Sequence, residues 1–290
     1  MTLKRPLSDI FPPSGRPFVK MHGLRNHFVI MDGRDTPFAP TPAQIAHICD
    51  VGAGIGGDQL LVIGRSARAD ASLRILNVDG REVSACGNAT RCVAWLLLEE
   101  AGTDTVTLET GSGVLRCARA GAMEVSVQMG QIVHDWQAIG LARAVDTLDL
   151  PLVHGPLTHG VASWIGNPHV TFFVRDLPSL DVAALAHPVQ NDPLFPEQVN
   201  VGLAELLGPA LIRLQVYERP GMVTAACGTG ACVAVRAAQL RGLVGPGAVR
   251  VEMGAGAVQI DTGEDGGAVM TGPVAYSFWG HLPRDLERTR

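Results

Sequence analysis

Two short stretches of the chain carry the residue types for proton chemistry. Ala85-Cys86-Gly87-Asn88 and Ala226-Cys227-Gly228-Thr229 each set a thiol beside a glycine where an apolar, helix-forming run begins, about half a chain length apart. The first backbone N–H groups of a helix have no partner within it, so with the macrodipole they favour an anion at that end. The same field lowers a thiol pKa. Gly87 and Gly228 let the backbone come close to a bound ligand. One such cysteine alone is more often a packing residue, but recurrence of the whole element favours two reactive thiols. Inversion of an amino acid at its α-carbon needs such a pair. One thiolate removes the α-proton and the other thiol returns a proton to the opposite face. Helix amides would stabilise charge gathering on the substrate carboxylate, and exclusion of water would replace a pyridoxal electron sink. Cys49, Cys92, Cys117 and Cys232 are read as small buried hydrophobes.

The elements that would position these thiols follow from the pattern. Helices are expected at about 88–100, ending at Gly102, and about 229–240, ending at Gly242. Each is apolar around most of its circumference (92–98 and 231–235), so each asks for burial on all sides. Shorter helices are expected at 41–49, with Thr41 as N-cap and Pro42 in the first turn, and at 180–187. Short β-branched or alternating runs bounded by turn residues predict strands at 28–31, 59–63, 73–77, 105–109, 124–128, 169–174, 211–217, 249–253, 257–261 and 269–270. Many short strands around an apolar helix predict a barrel or curved sheet wrapped on it. The half-chain repeat predicts that this happens twice, in two similar lobes.

Composition closes off other classes. A chain of 290 residues holds two domains or one large one, and 47% hydrophobic residues supply a globular core. A net charge of −5 without a basic stripe argues against nucleic acid. The longest apolar runs, such as 93–98, fall far short of the roughly 18 residues of a membrane span. With 34 Gly and 19 Pro, an all-helical protein is excluded. Pro6, Asp9, Pro12, Pro13 and Pro17 interrupt any export signal, so 1–16 is expected to be a flexible extension of a cytoplasmic protein. The six cysteines form no C-x-x-C pair, which predicts neither a structural metal nor a disulfide framework.

Taken in order, several segments resemble the diaminopimelate epimerase family, the pyridoxal-independent two-cysteine amino-acid epimerases. They are Lys20-Met-His-Gly-Leu-Arg-Asn-His-Phe28, Gly56-Gly-Asp-Gln-Leu-Leu61, Asn77-Val-Asp-Gly-Arg-Glu-Val83, Cys86-Gly-Asn88, Met129-Gly130, Gly166-Asn-Pro-His169, Phe195-Pro-Glu197 with Asn200, Tyr217-Glu-Arg219, Ala226-Cys-Gly-Thr-Gly-Ala-Cys232 and Met270-Thr-Gly-Pro273. The resemblance implies an α/β (α+β) fold of two pseudo-symmetric lobes. Each would be a curved β-sheet or barrel around a central helix, with the active site in the cleft between them. The first lobe would take 17–133 plus 273–283 and the second 134–272. Cys86 and Cys227 would be the catalytic thiols, with His169 and Glu218 poising their protonation. Asn26, Gln59, Asn88, Gly87, Gly228 and Thr229 would hold the reacting amino-acid end. Asn77, Asn167, Asn200, Glu218 and Arg219 would hold the distal one. The reaction implied interconverts LL- and meso-diaminopimelate for lysine and peptidoglycan precursors, without cofactor or metal. The partner is that small molecule, with no nucleic acid or membrane, and a homodimer is left open. A racemase of another amino acid, such as histidine, is the alternative within the family. A binding protein or a thiol redox protein would be the alternatives outside it. Four departures flank the ligand positions. Arg25 and His27 stand in a Gly-Asn-Asp-Phe motif, Pro220-Gly-Met-Val-Thr224 replaces Gly-x-Gly-Glu-Thr, Asn88-Ala-Thr-Arg91 replaces Asn-Gly-Ala-Arg, and Gln198 replaces an arginine. If position 25 has positive φ, its arginine is strained.

Overall fold

The structure, a computed structural model, describes residues 15–282. Residues 1–14 of the expected extension, and residue 283 of the expected first lobe, lie outside these. Arg16 is tied down, donating to the Asp32 and Thr36 carbonyls at 3.0 and 2.8 Å. Residues 15–282 are α+β and fold as two compact units, one of 15–119 together with 274–282, the other of 120–273.

In the first unit the order is β1 (Pro17–Gly23), β2 (Asn26–Asp32), α1 (Pro42–Cys49), β3 (Gln59–Gly64), β4 (Ala71–Asn77), β5 (Glu82–Val83), α2 (Gly87–Ala101), β6 (Thr105–Thr110) and β7 (Gly113–Gly121). Antiparallel β1–β2, parallel β2–β3, antiparallel β3–β4 and β4–β5, parallel β4–β6 and antiparallel β6–β7 make its sheet. Side chains alternate across a strand. Val29, Met31, Leu60, Val62 and Leu76 therefore share one face, which packs on Ile45 and Ile48 of α1. Asn26, Phe28, Gln59 and Asn77 have the opposite parity, toward the face on which α2 packs against β1, β2, β4 and β6. Local signals agree: Thr41 caps α1 in a capping box with Gln44, worth about 1 kcal/mol, and Gly102 ends α2 in the left-handed conformation. Ten of the 15 residues of α2 are buried, as its all-round apolar sequence demands.

The second unit runs β8 (Glu124–Gln131), α3 (Trp136–Ile139), β9 (Val153–His154), β10 (Leu157–Thr158), β11 (Val161–Trp164), β12 (Pro168–Phe173), α4 (Val182–Gln190), β13 (Asn200–Gly208), β14 (Leu211–Glu218), β15 (Met222–Thr224), α5 (Gly228–Leu240), β16 (Val249–Met253), β17 (Gly256–Thr262) and β18 (Gly267–Pro273). From β11 to β17 it repeats the strand pairings of β1 to β7, parallel and antiparallel in the same order. Strand β8 belongs here because it pairs with β18, and a bridge from Val133 to Trp164 ties the chain just after β8 to β11. The resulting closed sheet surrounds α5, which packs against β11 to β14 and β16 to β18. Val170, Phe172, Val201 and Leu203 point outward to Val182, Ala186 and Val189 of α4. Their neighbours His169, Thr171 and Asn200 take the inner parity. The last strand, β19 (Ala275–His281), returns to pair with β1.

The β1–β2 hairpin turns through Leu24 and Arg25, with φ of 52° and 58°. Such a tight turn suits Asn-Gly, and placing two L side chains there costs roughly 1–2 kcal/mol per residue. The strain expected of Arg25 is present in the backbone.

Candidate active site

Each Cys-Gly element begins its central helix. Cys86 is the N-cap of α2, with φ −153° and ψ 109°, and Cys227 is the N-cap of α5, with φ −133° and ψ 106°. A cysteine at this position supplies sulfur where Ser, Thr, Asp or Asn would supply the oxygen that ties off the first turn. Both helices therefore start at a thiol, beside leading amides that have no partner within the helix.

Around Cys86 the starts of β2 and β3 and the end of β4 converge. The Cys86 thiol donates to Asn26 Oδ1 at 3.7 Å, and its carbonyl accepts from the Thr90 N–H and hydroxyl at 2.9 and 3.0 Å. Asn26 Nδ2 donates to Asp58 Oδ2 at 3.0 Å. Gln59 Nε2 donates to Asn77 Oδ1 at 2.8 Å across the β3–β4 pair. Gln59 Oε1 is buried and has no hydrogen-bond partner among the described residues, an acceptor suited to a substrate ammonium. Asn88 Oδ1 accepts from the fully buried Arg91 guanidinium at 2.8 Å. Since arginine only donates, this bond leaves the Asn88 NH2 group to face a carboxylate. The first unit thus brings together Asn26, Gln59, Asn77, Cys86, Gly87 and Asn88.

The second unit brings together the remainder. Cys227 is buried, with Sγ 3.5 Å from Thr229 Oγ1. That hydroxyl lies 3.1 Å from His169 Nε2, which is 3.0 Å from Asn167 Oδ1 and 3.5 Å from Asn200 Nδ2. Asn200 Oδ1 in turn accepts from the Arg219 N–H at 2.9 Å, and the Arg219 guanidinium donates to the Glu197 carbonyl at 3.0 Å. Arg219, Glu197, Gln198, Trp164 and Pro168 line a concavity of about 380 Å³. The Thr224 hydroxyl donates to Glu218 Oε1 at 2.6 Å. Gly228 and Gly230 are closely approached, so that a Cβ would meet Met270 Sδ at 2.9 Å and Val216 Cγ2 at 2.8 Å and displace them.

Electrostatics separate the groups by role. Burial, helped by the Arg219 charge, pushes His169 down to about 3, so it is a neutral imidazole near neutral pH. It offers Thr229 a hydrogen bond and no positive charge. Burial and the Glu218 carboxylate raise the Cys227 thiol well above its ordinary value, against the pull of the Thr229 hydroxyl and the Gly230 N–H. Cys227 therefore rests protonated. Among the other cysteines, burial lifts Cys49 to about 11 and Cys92 and Cys117 to about 12, and Cys232 is fully buried. Asp58, Arg91 and Thr224 are site neighbours that the sequence reading did not single out. The available signals were the adjacency of Asp58 to Gln59 and the three-residue spacing from Asn88 to Arg91, which puts both on one helix face.

A family profile described as diaminopimelate epimerase matches residues 18–134 and 161–277 of this chain. The chain is 47% identical over 274 residues to a diaminopimelate epimerase of Phenylobacterium zucineum (strain HLK1), covering 93% of this chain and 98% of that one. It is 44% identical over 269 residues to a diaminopimelate epimerase of Acidiphilium cryptum (strain JF-5), covering 93% and 97%. Among solved structures, a probable proline racemase from Agrobacterium radiobacter K84 superposes with a TM-score of 0.65 at 17% identity, covering 92% and 93%. A hydroxyproline epimerase from Agrobacterium vitis does so with a TM-score of 0.62 at 17% identity, covering 91% of each. These last two are likenesses of fold.

Proposed function

From the premise that the chain belongs to the diaminopimelate epimerase family, we propose that it inverts one α-carbon of diaminopimelate, interconverting the LL and meso forms, with Cys86 and Cys227 as the acid–base pair. One observation carries the reading: the same cysteine N-cap opens a buried central helix twice. Inversion needs a base on one face of the α-carbon and an acid on the other. The thiolate takes the α-hydrogen as a proton, the electron pair is held on the carbon and its carboxylate, and the other thiol gives its proton to the opposite face. Two like groups exchange roles when the reaction runs backwards. Since Cys227 rests as a thiol, it enters as the acid, and Cys86 is the base in that direction.

The surrounding groups divide by polarity. Leading amides at Gly87, Gly228 and Thr229 and the NH2 of Asn88 suit the α-carboxylate as it gains charge. The acceptors Asn26 and Gln59 suit the α-ammonium. Arg219 in its concavity suits a second carboxylate, and Glu218 with Asn77, Asn167 and Asn200 suits a second ammonium. That pairing favours diaminopimelate over histidine, which has no distal carboxylate. Neutral His169 orients Thr229 against Cys227 and holds no charge of its own. The scheme calls for no cofactor. We place the reaction in the cytoplasm, a setting that suits six thiols of which none is in a disulfide.

Cysteine replacement tests this directly. In D2O the wild-type protein should place deuterium at the inverted centre, and Cys86→Ala or Cys227→Ala should each lower the rate of inversion by at least 1,000-fold, as loss of an essential acid or base does. Full activity in either variant defeats the two-thiol scheme.

A further inference from the structure

Asp58 stands outside the ligand positions proposed above, immediately before Gln59. Its single oxygen Oδ2 receives two donors, the His27 N–H at 2.7 Å and Asn26 Nδ2 at 3.0 Å, while its own N–H donates to the His27 carbonyl at 2.8 Å. A carboxylate can only accept. The Asn26 amide therefore has to turn its NH2 group to Asp58 and its carbonyl oxygen the other way, toward Cys86 Sγ at 3.7 Å. The orientation of an asparagine amide decides whether a neighbouring thiol finds an acceptor or a donor. An acceptor stabilises the S–H form, whereas a donor would stabilise the thiolate and oppose reprotonation.

We propose that Asp58 is a positioning residue for Cys86: by fixing which end of the Asn26 amide faces the sulfur, it keeps an acceptor on the thiol proton that Cys86 delivers when it acts as the acid. The proposal rests on the acid–base role of Cys86 given above. The hairpin that carries Asn26 is held in a strained turn at Leu24 and Arg25, so the Asp58 bonds to both Asn26 and His27 also set the place from which Asn26 reaches the sulfur. What matters is an acceptor oxygen at the Oδ2 position, not the negative charge. Asparagine at position 58 keeps that oxygen, because the two converging donors select it over the amide NH2. Alanine does not.

The test compares Asp58→Ala with Asp58→Asn. Two readouts are followed, the pH profile of iodoacetamide labelling at Cys86, read by peptide mass spectrometry, and α-deuterium incorporation into diaminopimelate. Asp58 is exposed, and thermal unfolding checks that each variant is folded. Asp58→Ala should lower the Cys86 labelling midpoint by about half a pH unit or more and slow incorporation about 10-fold, chiefly in kcat. Asp58→Asn should stay within about twofold of the wild type in both. Asp58→Asn behaving like Asp58→Ala would show that charge is what acts and overturn the proposal, as would an unchanged labelling profile in Asp58→Ala. A shifted labelling profile with unchanged incorporation would keep the Asp58 assignment and count instead against Cys86 as the acid.

Discussion

His169 should make the stability of this protein pH-dependent in a calculable way. In the folded chain burial and the Arg219 charge hold it neutral until about pH 3, whereas an exposed histidine takes up its proton near pH 6.5. Below 6.5 the unfolded chain binds a proton that the folded chain refuses, so this residue subtracts stability as pH falls and contributes nothing above that point. At 1.36 kcal/mol per unit, lowering the pH from 7.5 to 4.5 should remove on the order of 2–3 kcal/mol through His169 alone, with the loss continuing toward pH 3. The perturbation is His169→Gln, whose amide still reaches Thr229 and does not titrate. Urea unfolding of both proteins at several values between pH 4.5 and 7.5 gives the two stability curves. The wild type should lose about 2–3 kcal/mol more than the variant across that range, whatever their offset at pH 7.5. Parallel curves would refute a buried neutral imidazole, and with it the claim that His169 acts on Cys227 only through Thr229.

Two further outcomes test the neighbours of Cys227 and the substrate. Glu218 raises the Cys227 thiol, so Glu218→Gln should move Cys227 alkylation to lower pH; an unmoved profile contradicts that coupling. Arg219→Met should raise KM for diaminopimelate about 10- to 100-fold, the scale of a charge-assisted hydrogen bond, and affect a monocarboxylic amino acid far less. Equal losses would remove Arg219 from recognition of a distal carboxylate.

Much of this arrangement was legible in the chain because it is local. The helix 41–49 carries its own Thr41 cap and Pro42 start, and the two central helices advertise their burial by apolar residues on every side. The strands with β-branched runs are all present. Less visible were β1 and β13, whose polar and glycine-interrupted sequences find their strand conformation only through partners on both sides. The placement of β8 beside β18 rests on pairing between segments more than a hundred residues apart, and nothing in the run 124–131 names that partner. At the candidate site, residue types singled out the two thiols, but the fate of each amide did not follow from its own identity. Asn26 and Asn88 are the same side chain, and the polarity each presents is set by Asp58 in one case and Arg91 in the other.

The same logic explains how one repeated device comes to sit in two unequal settings. Both thiols sit at the start of a buried helix, so backbone geometry treats them alike. The difference lies in what the inner parity of neighbouring strands delivers. Beside Cys86 it delivers amides, whose orientation is held from behind by groups that only accept or only donate. Beside Cys227 it delivers a neutral imidazole, a hydroxyl and a carboxylate that raises the thiol pKa. The Glu218 carboxylate and burial thus set the starting state of the second-unit thiol, holding Cys227 protonated. Exchanging the second-unit carboxylate for a neutral group should therefore do more than shift the Cys227 titration: followed by α-deuterium incorporation, inversion should slow in the direction that starts with Cys227 as the acid.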